Sequence, residues 1–118
     1  MTGNNHTAAA NEPRPQRTQD EAIAFECARE CITHLIGIIT DELHNRTPNE
    51  ARIAALEAER SSLFREQQNL YKATLADVAR INTKYGAFVR AHMAWEDRDT
   101  RPRVDLAALA VLRTTAST

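Results

Sequence analysis

The residues best suited to chemistry stand close together: Cys27, Cys31 and His34 make a C-x3-C-x2-H pattern. On a helix the three lie within about 60° of one another, so two thiolates and an imidazole could face one metal ion. No fourth ligand stands at a recognisable spacing, and Cys is among the most buried residue types. Packed thiols with a histidine at their edge are the expected reading, with no metal. A disulfide between positions four apart on a helix fits poorly with disulfide geometry. His34, His44 and His92 could serve as general bases, yet none has a nucleophile or an orienting carboxylate at a motif spacing. There is no Gly-rich phosphate loop, and His92-Met93-Ala94-Trp95-Glu96 holds only one of the two histidines that a zinc-protease helix requires. The expectation is a chain that is not an enzyme and takes no cofactor.

Charge is a better lead. From Asp20 to Arg46 there are six acids and two bases, whereas Lys72 to Met93 carries four bases and one acid. Solvated helix faces account for many such patterns. The functional alternative is an acidic edge, Glu26 and Glu30 with Arg29 between them, that docks on a basic pocket. A formal net charge of −1 leaves no overall basic field to hold a phosphate backbone, so nucleic acid is not the expected partner.

These side chains need helices to position them. The 118 residues suit one domain, and 42% hydrophobic content with 5% aromatic and three Gly predicts a small all-α fold. Met1 to Arg17 has no periodicity and is expected to be a disordered tail. Thr18-Gln19-Asp20-Glu21 has capping-box spacing and opens a first helix, roughly Asp20 to His44. Its apolar face, from Ala24 and Phe25 to Ile39 and Leu43, covers about half the circumference, more than one neighbouring helix could bury. Gly37 falls among the polar residues of that helix and costs up to about 1 kcal/mol of propensity. It either marks close approach by another backbone or is tolerated.

Thr47 and Pro48 read as the cap and first residue of a second helix, with Glu50 reaching back. An apolar stripe from Ile53 to Val89 keeps its phase for about ten turns. A three-residue connection makes the two helices an antiparallel hairpin. The constant phase, without Gly or Pro at 69–74, predicts one unbroken helix of about 69 Å, half of it projecting uncovered. The alternative is a break there, where Thr74-Leu75-Ala76-Asp77 has capping-box spacing, giving a three-helix bundle. Residues 96–118 read as a charged linker and a short docking helix capped by Asp105, apart from a helical domain over 18–95. No apolar run spans a bilayer and the amino-terminal residues lack a signal pattern, so a cytoplasmic protein with reduced thiols is expected.

The segments Ala22-Ile23-Ala24-Phe25-Glu26-Cys27-Ala28-Arg29, Ala51-Arg52-Ile53-Ala54-Ala55-Leu56-Glu57-Ala58-Glu59, Val78-Ala79-Arg80-Ile81 and Tyr85-Gly86-Ala87-Phe88-Val89-Arg90-Ala91 resemble the small antitoxins encoded beside zeta-type toxin kinases. They are also similar to chaperone-like partners of kinase-fold effectors in plant-associated bacteria. The resemblance, over roughly Asp20 to Trp95, implies a non-enzymatic helical protein that binds a cognate P-loop kinase and blocks its nucleotide or substrate site. Phe25, Glu26, Arg29 and Glu30 on the first helix, and Tyr85, Phe88, His92 and Trp95 on the far half of the stripe, are the expected contacts. The competing expectation is a homodimeric coiled coil. Against it, Leu56, Leu63 and Leu70 alternate with Arg60, Gln67 and Thr74 where a good seam needs apolar residues.

Overall fold

Thr18 opens the first helix, α1 (Gln19–Asn45), by the reciprocal exchange that its spacing predicts. Its Oγ1 accepts the Glu21 N–H at 3.1 Å, and its own N–H donates to Glu21 Oε1 at 2.9 Å. The computed structural model of the chain describes residues 17–46, 49–95, 97 and 100–114. Of these, 83% are helical and none is in a strand. The expected tail, apart from Arg17, lies outside the described residues. The broad apolar face of α1 buries Ala28, Ile32, Leu35, Ile38 and Ile39, and two helices share it.

The first of these is α2 (Glu50–Gln68), capped by Asn49, whose Oδ1 accepts the Arg52 N–H at 2.8 Å. The helix therefore begins after Pro48, and the expected cap Thr47 lies with Pro48 outside the described residues. Arg52 reaches Glu42, Arg60 reaches Thr40 and Gln67 reaches Thr33, which sets α2 antiparallel to α1.

The expected unbroken helix is corrected: the chain turns after Gln68. Leu70–Lys72 forms a 3-10 turn, Ala73 is extended at φ −70° and ψ 148°, and Thr74 starts a new helix with its own capping box. Asp77 N–H donates to Thr74 Oγ1 at 3.1 Å and Thr74 N–H to Asp77 Oδ2 at 3.2 Å. Both turn conformations are open to ordinary L residues, so the chain reverses without Gly or Pro. Constant stripe phase does not discriminate, because each half of a folded-back pair needs its own apolar face.

Helix α3 comprises Leu75–Arg80 and Gly86–Met93, joined without a break through a π-helical turn at Ile81–Tyr85. It lies parallel to α1. Asn82 Nδ2 donates to the Ala24 carbonyl at 3.0 Å near one end, and His92 shares a small cleft with Ile38 and Asp41 near the other. Leu56, Leu63, Leu70, Val78, Ile81 and Tyr85 are all buried. The centre of the stripe is thus filled by the chain's own helices, while Phe64, Tyr71 and Leu75 stay exposed.

Past Trp95, Val104 and Leu109 join the same core, with Leu106 and Leu112 packed against it. Asp105 Oδ1 accepts the Ala108 N–H at 3.0 Å and starts α4 (Leu106–Thr114). Val104 and Leu109 are only 4% and 2% exposed, and burying each side chain contributes about 1.5–3 kcal/mol. Arg52 donates to the Val104 carbonyl at 2.6 Å and Arg113 to Glu59 Oε2 at 2.9 Å, so α4 runs parallel to α2. The result is a four-helix, up-down-up-down arrangement.

Two carboxylates pin this last strap. Glu42, 2% exposed, accepts Arg52 Nε at 2.7 Å, Arg52 Nη2 at 3.1 Å and the Val104 N–H at 2.9 Å. Glu59, 7% exposed, is held by Arg113.

Candidate partner-binding surface

α1 borders two open grooves. At its start, Phe25, Glu26 and Arg29 line a groove of about 410 Å³ together with Gln67, Leu70 and Tyr71. Arg17 closes one side, its guanidinium 3.6 Å over the Phe25 ring and donating to the Tyr71 carbonyl at 3.2 Å. Glu26 and Arg29 form a 3.5 Å ion pair with side chains about 60% exposed. A pair so open to water contributes little to stability, and both charges stay available to an incoming surface. Glu30 is exposed on the same helix.

Towards the other end of α1, Thr33, His34, Gly37, Ile38 and Asp41 face His92, Met93 and Arg101 across a second groove of about 390 Å³. His92 is half-buried, and burial followed by the neighbouring Arg101 charge holds its pKa below the ordinary histidine value. Trp95 is exposed at this end, its Nε1–H donating to Thr100 Oγ1 at 3.1 Å. Arg101 caps the end of α3 by donating to the Trp95 carbonyl at 2.7 and 3.2 Å.

Of the expected contacts, then, Phe25, Glu26 and Arg29 come together, Glu30 stands on the α1 face between the grooves, and His92 and Trp95 stand at the far end. Tyr85 is corrected. The fold-back of α3 places it in the core at 1% exposure, where its Oη donates to Glu66 Oε1 at 2.8 Å. Burial, then the Glu66 hydrogen bond and charge, push the phenol's pKa well up. Phe88 is half-buried against the same core. Neither presents a free face as expected, because the half-stripe that they occupy is covered.

The thiols are free, Cys27 exposed and Cys31 half-buried beside Asn82. Burial, then the adjacent Cys27, raise the Cys31 pKa, which keeps it a thiol rather than a nucleophilic thiolate. Among the described residues no group of three or more His, Cys, Asp or Glu is placed to hold a metal ion, and no helix is long and apolar enough to cross a membrane.

Sequence reasoning missed Glu42, which it counted among the charges of 20–46, and Glu59, which lies outside both counted segments. The signal was present: each acid falls in phase with buried neighbours, Leu35, Ile39 and Glu42 on α1, and Leu56, Glu59 and Leu63 on α2. An acid at a core position needs a cation or an N–H donor from elsewhere in the chain. Comparison with known proteins returns no matching family model, no matching curated protein and no matching solved structure.

Proposed function

We propose that this chain is a stoichiometric helical inhibitor that neutralises a zeta-type P-loop kinase in the bacterial cytoplasm, with α1 as its docking element. The observation that carries the reading is the exposed Glu26–Arg29–Glu30 edge of α1, bordered by a groove that is still unfilled. A P-loop kinase cradles phosphate with backbone N–H groups and a lysine. Carboxylates on a rigid helix offer the same charge to that cradle, and the groove beside them, which sets Phe25, Leu70 and Tyr71 among polar side chains, admits flanking side chains of the kinase.

The test is co-expression with a zeta-type kinase encoded beside this chain, scored by growth rescue and by the stoichiometry of the purified complex. Truncating a charge that is fully desolvated in an interface typically costs about 2–5 kcal/mol. Glu26→Lys with Glu30→Lys is therefore expected to weaken binding at least about thirtyfold while the circular dichroism spectrum and melting temperature hold, since both side chains are exposed. Unchanged neutralisation at one-to-one stoichiometry and at every salt concentration would overturn the acidic-edge mechanism.

A further inference from the structure

Gly37 has no explanation inside its own fold. It stands on the outer face of α1, where a Cβ would meet nothing within 4 Å, and its backbone is not left-handed. A glycine inside a helix costs roughly 1 kcal/mol relative to alanine, and here no turn or close neighbour offsets that. Its missing side chain leaves the floor of the 390 Å³ groove bare, with the exposed Met93 side chain on the opposite wall. A bare floor beside an apolar wall suits the close approach of another helix.

We infer that the occupant is α1 of a second copy, crossing antiparallel on a two-fold axis at Gly37. Acid–histidine complementarity selects that partner and that direction. Glu30, Gly37 and His44 lie seven residues apart, within about 40° on the helix, and all three are exposed. An antiparallel two-fold through Gly37 sets Glu30 of each copy opposite His44 of the other. It also brings Asp41 opposite the turn that carries His34. Each contact occurs twice, as an isologous interface requires. Four of the six acids of α1 (Asp20, Glu21, Glu26, Glu30) lie in its first half and Asp41 and Glu42 near its end, and a parallel crossing at Gly37 sets Glu30 against Glu30 and Asp41 against Asp41. Opposed helix dipoles favour the antiparallel arrangement as well. The inference uses no property of a kinase, and because Glu30 belongs to both surfaces it is tested on the chain alone.

Sedimentation equilibrium on the full chain alone tests it, from low micromolar to millimolar concentration. The wild type is expected to rise from 13.2 kDa towards twice that mass. Gly37→Leu should remain monomeric while melting no lower than wild type at low concentration, because its new side chain enters open space. His44→Glu, which faces Glu30 of the second copy with a like charge, should raise the dissociation constant about tenfold. The charge swap Glu30→Lys with His44→Glu should return it towards the wild-type value. A wild type of 13.2 kDa at every concentration, a Gly37→Leu chain that dimerises as well as wild type, or a charge swap that recovers nothing would each overturn the two-fold at Gly37.

Discussion

Glu42 and Glu59 are both buried, both bound to arginine, and both used to fasten the carboxy-terminal strap, yet their acidities move in opposite directions. For each, burial acts first to raise the pKa. At Glu42 that is outweighed by the Arg52 hydrogen bonds, the Val104 N–H and the Arg52 and Arg103 charges, which bring it below 4.5. At Glu59 the single cation Arg113 does not compensate, Glu66 adds a like charge, and the pKa stays above 4.5. Depth alone does not decide whether a buried carboxylate holds a fold together. The number of donors that converge on it does.

The strongest way to break the contrast is Arg52→Ala. It strips two of the hydrogen bonds from Glu42 and one from the Val104 carbonyl, leaving a buried charge undercompensated. A loss of about 3 kcal/mol is expected in urea unfolding. Arg113→Ala should be milder, about 1 kcal/mol, because that arginine is partly exposed and Glu59 can take up a proton instead. Equal losses in the two variants would show that both carboxylates anchor the strap alike.

Titration sharpens the contrast at a smaller scale. With its folded pKa below the unfolded 4.5, Glu42 contributes stability that is complete above 4.5 and lost as pH falls through the folded value. Glu59, shifted the other way, favours the folded state below 4.5 and withdraws that contribution as pH rises through its folded value. Melting temperatures at fixed ionic strength should therefore show a shallower acid decline in Glu42→Gln and a steeper one in Glu59→Gln than in wild type. Parallel pH profiles in the two variants would refute the opposite shifts.

Legibility in the sequence depends on the kind of signal each feature leaves. Thr18, Thr74 and Asp105 announce their helices through local hydrogen bonds that a spacing of three residues encodes. The breadth of the α1 face implies that α1 has two neighbours. The break after Gln68 is visible only as the Thr74 box, since an apolar stripe looks the same whether it covers a partner or its own chain. Tyr85 is misplaced by sequence reasoning for that reason. The role of 101–114 is underestimated because Val104 and Leu109 are few, and what seats them is a carboxylate 62 residues earlier for the Val104 N–H. A segment charge count hides Glu42, and Glu59 falls between the counted segments, because a wheel treats every acid as water-facing until a core neighbour is known. On the candidate surface, Glu26 and Glu30 stand where helical spacing places them, whereas the two grooves depend on three-dimensional packing that spacing does not carry.

The strap also has a meaning in the order in which the chain is made. A ribosome delivers α1, α2 and α3 well before Val104, Leu109 and Arg113, so a nascent chain holds an open apolar seat and Glu59 without its cation until those residues emerge. Translation that stops short leaves a product with that seat exposed, and such surface is what chaperones and proteases act on. Glu59 then has no Arg113 to meet it, and the core lacks Val104 and Leu109.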